Sequence, residues 1–153
     1  MQKKIPIKEV LYQQIKTILD KKQATAKIAI QAAIEARDNE TKSSAGDKHE
    51  TGRAMMQREQ ARNEAQLNKI ITLKNELQQV KIQQKSAKVM LGSLVRTTRG
   101  NYFLSIGLGK LMVQADTYYA ISTAAPIGQL LLGKKVGEEV QFQGKTFSIK
   151  TIE

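Results

Sequence analysis

Ser43-Ser44-Ala45-Gly46-Asp47-Lys48-His49-Glu50 is the stretch on which the reading of the fold turns. It interrupts two long runs of helix-forming residues. Gly46 supplies a position without a Cβ, where a chain reverses sharply at little steric cost. Asp47 and Glu50 follow it three residues apart, the spacing of neighbours on one helix face. Carboxylates at a helix start suit the positive end of its dipole. They are poor core material, and they are well placed to reach something outside the protein.

The flanking runs are the arms of a hairpin. From Ile7 to about Asp38 there is no Pro or Gly, and good helix formers dominate. Leu11, Ile15, Ile18, Lys22, Thr25, Ala29, Ala32 and Ala36 keep the 4-3-4-3 spacing of a helical seam. From about Glu50 to Gln84 the same spacing runs through Met56, Gln60, Asn63, Leu67, Ile70, Lys74, Leu77 and Lys81. Antiparallel pairing about Gly46 sets Ala36 near Met56, Ala29 near Asn63, Thr25 near Leu67 and Ile15 near Leu77. Large apolar residues then meet at the root, and small or polar ones meet toward the turn. At 1.5 Å per residue, arms of about 30 residues predict a rod of roughly 45 Å. Lys22, Lys74 and Lys81 interrupt the seam, their stems packing while the ammonium groups snorkel outward.

After Ser86 the period changes. Val89-Met-Leu-Gly92-Ser-Leu-Val95, Tyr102-Phe-Leu-Ser-Ile106 and Tyr118-Tyr-Ala-Ile121 read as short strands. Pro126 to Leu132 reads as a short helix with Pro in its first turn and Gly133 as its stop. Glu139-Val-Gln-Phe142 and Thr146-Phe-Ser-Ile149 alternate around Gln143-Gly144, a hairpin signature. The expected fold class is α+β. An antiparallel coiled-coil hairpin over 1–85 carries its acidic tip at 43–50, and a small, mainly antiparallel β domain with one short helix fills 86–153.

Composition narrows the function. Of 153 residues 41% are hydrophobic and 5% aromatic, and neither Cys nor Trp occurs. No disulfide framework or thiolate zinc site is available. His49 is the only histidine, which removes Ser-His and Cys-His nucleophiles. The N-terminus lacks a signal-peptide core and no apolar run reaches membrane-span length, so a cytoplasmic protein is expected. The net charge of +11 is spread along the chain and favours an anionic partner, nucleic acid or an acidic protein surface.

The residues from Ala125-Pro-Ile-Gly128 through Gly133-Lys-Lys135 to Val140 resemble the C-terminal signature of the Gre-type transcript cleavage factors, GreA and GreB. Gly46-Asp-x-x-Glu50 is similar to the acidic tip of the same family, and the resemblance spans essentially the whole chain. It implies an FKBP-like C-terminal domain and a monomer that binds RNA polymerase and inserts its coiled coil into the secondary channel. The chain would not itself be an enzyme. It would stimulate the polymerase's own Mg²⁺-dependent cleavage of backtracked RNA. Asp47 and Glu50 would help hold the shared Mg²⁺, which needs only one or two protein carboxylates. Pro126, Ile127, Gly128, Lys134 and Lys135 would contact the polymerase, and Arg53 and Arg58 would guide RNA. Where GreA-like tips continue Asn-Ala-Glu-Tyr, this chain has Thr51-Gly52-Arg53-Ala54. Two alternatives stay open: a same-fold regulator that occupies the channel without cleavage, and a basic coiled-coil protein that binds nucleic acid directly. A peptidyl-prolyl isomerase is disfavoured by the scarcity of aromatic residues.

Overall fold

The computed structural model describes residues 5–42 and 47–153, with side chains described at 5–39 and 52–153. Its fold class is α+β. Two long helices, α1 (Ile7–Lys42) and α2 (Asp47–Gln78), precede β1 (Leu94–Thr97), β2 (Asn101–Leu104), β3 (Gly109–Val113) and β4 (Asp116–Ile121). A short helix α3 (Pro126–Leu131) and the pair β5 (Glu139–Phe142) and β6 (Lys145–Ile152) complete the order. Contacts divide the chain into two compact units, Thr17–Lys74 and Met1–Lys16 with Asn75–Glu153.

In the unit Thr17–Lys74 the two helices run antiparallel. Arg37 Nη1 donates to Gln60 Oε1 at 3.0 Å, whereas Lys74 Nζ reaches Asp20 Oδ1 at 2.8 Å and Gln23 Oε1 at 2.6 Å. The α2 seam is the expected one. Met56, Gln60, Asn63 and Leu67 are half-buried and Ile70 is buried. The α1 seam is shifted by one residue. It passes through Leu19, Gln23, Ala26, Ile30, Ala33 and Arg37, while Lys22, Thr25, Ala32 and Ala36 are exposed. Ile18 and Leu19 are both apolar, so the spacing alone permits either phase. The observed phase brings Asp20 and Gln23 onto the Lys74 ammonium. An exposed ion pair of this kind contributes at most about 1 kcal/mol, so the larger share comes from Leu19, which is fully buried. Lys81 lies beyond α2 and is exposed rather than in a seam.

In the other unit, six strands form one sheet in the order β3-β4-β2-β1-β6-β5. All neighbours are antiparallel except β2 and β4, which are parallel. The β5–β6 turn is the expected two-residue one, with Gln143 and Gly144 at φ 53° and 75°, the twist that suits a tight hairpin. One strand expectation fails, and one strand was not expected. Val89–Val95 is not one strand, because Gly92 turns at φ 95° and its N–H is spent on the Leu104 carbonyl. A Cβ on Gly92 would stand 2.7 Å from the Lys81 carbonyl oxygen. The strand β3 has no aromatic residue and a single β-branched one, Val113, so it carries few of the residues that mark strands, and its pairing with β4 is what makes it one.

Alternation gives the sheet two faces. Leu94, Phe103, Leu111, Tyr118 and Ala120 occupy one and are all buried. Val95, Leu104, Val140, Phe147 and Ile149 occupy the other, where they form a cluster with Val89 and with Leu131 of α3. At the root of α1, Gln14 Nε2 donates to the Met112 carbonyl of β3 at 3.2 Å, beside buried Leu11 and Ile15.

The shifted seam is testable. Leu19→Ala should cost about 3 kcal/mol of helical-unit stability, whereas Ile18→Ala should cost under about 1.5 kcal/mol. Urea unfolding followed by circular dichroism distinguishes the two, and equal losses would restore the unshifted seam.

Candidate functional site

The sequence places its functional residues on three local structures. The first is the start of α2. Asp47 opens the helix and Glu50 falls in its first turn, so the backbone sets them where the chain enters its second arm. Their side chains lie outside the described residues. Arg53 and Arg58 follow on α2 and are exposed, as is Arg62.

The second structure is α3. Its N-cap is Ala125, extended at φ −65° and ψ 150°, with no side-chain hydrogen bond, and Pro126 takes the first turn. Proline substitutes for a capping side chain here, because it removes one N–H that would otherwise need a partner. The expected partner-binding residues have divergent surroundings. Pro126 is exposed and Ile127 half-buried, but Gly128 is buried. A Cβ on Gly128 would stand 2.2 Å from the Ser122 carbonyl oxygen and 3.2 Å from Thr123 Cα. Gly128 therefore seats the helix on the β4–α3 connection and offers no surface. Of three consecutive leucines, Leu131 is fully buried while Leu130 and Leu132 are each 39% exposed.

Lys134 and Lys135 lie past the other end of α3. The Gly133 N–H donates to the Val89 carbonyl and the Val89 N–H to the Lys134 carbonyl, each at 2.8 Å. The Lys135 N–H donates to Glu138 Oε2 at 3.0 Å. This pins the backbone and leaves the Lys135 side chain exposed.

The third structure was not anticipated. A cavity of about 390 Å³ is lined by Arg99, Tyr102, Tyr119, Ile121, Ile127, Phe142, Gln143, Lys145 and Phe147. Of the expected partner-binding residues only Ile127 lines it. Tyr102 and Tyr119 are paired across the parallel strands β2 and β4, with ring centroids 5.9 Å apart. Phe147 lies 6.3 Å from Tyr102 on the other side. Two turns bring the cations. The Thr97 hydroxyl accepts the N–H groups of Arg99 and Gly100, and Thr98 exchanges hydrogen bonds with Ser148, so the Arg99 turn is held in place. Lys145 follows the Gln143–Gly144 turn.

No carboxylate lines this cavity. The arrangement suits an apolar group carried next to a negative charge. Burial, and secondarily Tyr119, push the Tyr102 phenol above the usual tyrosine value, while Arg99 opposes that shift. The signal in the sequence was the alternation that puts Tyr102 with Leu104 and Tyr119 with Ile121 on one face. Convergence with Phe142, Phe147 and Ile127 required the sheet order.

Among the described residues no group of three or more His, Cys, Asp or Glu is placed to hold a metal ion, and no helix is long and apolar enough to cross a membrane. No family model matches the sequence, and no curated protein matches it. Among solved structures the chain is similar to one described as "Structure of the transcription factor Gfh1", at 20% identity over 92% of each chain with a TM-score of 0.33.

Two outcomes are expected. Gly128→Ala should destabilise the sheet unit by about 1–3 kcal/mol in urea unfolding, because backbone cannot yield as a side chain would. The Tyr102 phenol should ionise above about 10, and its raised value makes the folded state hold the proton longer than the unfolded chain. That contribution to stability is full below pH about 10 and is lost as the pH rises through the folded value. Absorbance titration against Tyr102→Phe reads it, and Arg99→Gln should move it further upward.

Proposed function

We propose that this chain is a transcription elongation factor of the Gre type that acts on RNA polymerase. In this reading the C-terminal unit docks on the polymerase and the helical hairpin enters the secondary channel. Asp47 and Glu50 then stimulate cleavage of backtracked RNA by the polymerase's own active site. The observation that carries the reading is the position of Asp47 and Glu50 in the first turn of α2, at the junction of two antiparallel helices. The same chain carries the Ala125-Pro-Ile-Gly128 helix, whose Ile127 side chain lines an aromatic cavity with a cationic rim.

The donor set fits magnesium: two oxygen ligands one helical turn apart, with no thiolate in the chain. Two carboxylates leave most of the coordination shell to water or to another protein, as a shared ion requires. Asp47 would take the direct contact and Glu50 would orient water. The ion, once held, stabilises charge on the oxygens of an in-line displacement. The docking assignment moves with the structure. Gly128 supports α3 from within, so Ile127 with Tyr102, Tyr119, Arg99 and Lys145 is the better contact surface, with an acidic, apolar patch of polymerase as its complement.

The decisive experiment is RNA cleavage in a stalled, backtracked elongation complex. Wild type should accelerate cleavage, and Asp47→Ala or Glu50→Ala should reduce that stimulation by at least tenfold while leaving polymerase binding intact. Binding without stimulation would make the chain a channel-occupying regulator, for which Thr51-Gly52-Arg53 in place of further acidic and aromatic residues is the supporting feature. Salt-sensitive binding to RNA or DNA, with none to polymerase, would identify a nucleic-acid-binding coiled coil.

A further inference from the structure

The face of the sheet on which Leu131 packs is not fully covered, and its open part extends beyond the aromatic cavity. Register sets Lys110 of β3, Tyr119 of β4 and Tyr102 of β2 side by side. Met112, two residues on from Lys110, falls on the same side. Lys110 and Met112 are exposed, and Tyr119 keeps 38% of its surface in water. The two tyrosine rings stack at 30° to each other. Beyond them the row enters the cavity, where Phe142 forms part of the wall and Arg99 and Lys145 bring positive charge. Both of those cations are exposed. The strands carry two carboxylates, Asp116 and Glu139. Asp116 alternates with Thr117 and Glu139 with Val140, so both fall on the opposite face. The strand and cavity positions of the open face therefore hold three cations and no acid.

Aromatic rings along a basic groove suit a single strand of nucleic acid, because every base has a π face to stack and the phosphates follow the positive charge. We propose that this open face binds single-stranded nucleic acid. One base enters the cavity beside Tyr102 and Phe142, its neighbour stacks on Tyr119, and the backbone runs over Lys145, Arg99 and Lys110. A duplex keeps its bases stacked on one another and cannot offer them to the rings, so the face selects single strands. Lys110 stands two strand spacings from Tyr102, roughly 10 Å, and Lys145 on β6 lies farther across the sheet order. That span answers a strand better than a free mononucleotide. The net charge of +11 favours the same class of partner. The face overlaps the proposed polymerase contact at Tyr102, Tyr119, Arg99 and Lys145, so one occupant excludes the other, but strand binding requires no polymerase.

The test is fluorescence anisotropy of the full chain, without polymerase, on labelled oligouridylate and oligothymidylate of about ten nucleotides and on a duplex of equal length. The single strands should bind at least about tenfold tighter than the duplex. Tyr119→Ala should weaken single-strand binding at least about fivefold, whereas Tyr119→Phe should bind as wild type, since stacking uses the ring and not the hydroxyl. Lys110→Gln, at an exposed position that leaves the fold intact, should lower the slope of log affinity against log salt by about 0.7. Unchanged binding in Tyr119→Ala would put the strand on another basic surface, such as the helical hairpin, and overturn the proposal. Equal affinity for the duplex, or no binding at micromolar protein, would overturn it as well. The polymerase reading is decided separately by the cleavage assay, so either can fail without the other.

Discussion

The sheet of the C-terminal unit is buried on both faces, and most of what this protein presents follows from that constraint. Leu94, Phe103 and Tyr118 on one face and Val95, Leu104 and Ile149 on the other are all 2% exposed or less. A two-residue alternation of this kind cannot slip by one position without exchanging the two sets. Each face needs a cover, and α3 covers one through Leu131. The cover must come close, and at Gly128 it comes closer than any side chain allows. The glycine that looked like part of a recognition motif is therefore the hinge of the packing.

Where α3 ends, the same face opens into the cavity, where Tyr119 is exposed, Tyr102 and Phe142 are half-buried and Phe147 is buried. Tyr102, Tyr119, Phe142 and Phe147 are ordinary strand residues in sequence. They converge because β2 and β4 run parallel while β6 returns beside β1. The cations at the mouth come from turns, and each turn is held by backbone hydrogen bonds rather than by the charges themselves. Such a rim is pre-organised for a negative group at little entropic cost on binding.

The helices follow a different economy. Their seam is large and fully buried at Leu19 and falls to Ala26, Ala33 and Arg37 farther along α1. Each alanine contributes much less apolar area than a leucine. Side-chain contacts such as Arg37 with Gln60 carry more of the pairing there.

The sequence by itself determined the α+β class and the two helical arms. It also determined the α2 seam from Met56 to Ile70, the α3 helix with Pro in its first turn, and the Gln143–Gly144 turn. These are local matters, decided by 3.6- or 2-residue periodicity and by residues with restricted or permissive backbones. Tertiary structure alone decided the phase of the α1 seam, because Ile18 and Leu19 are equally apolar and only the opposing helix, with Lys74, separates them. It made β3 a strand by giving Lys110 and Met112 a partner in β4, and it broke Val89–Val95 at Gly92. It also gathered the aromatic cavity from segments far apart in the chain. Periodicity reports which side of an element is buried, but not which distant element will bury it.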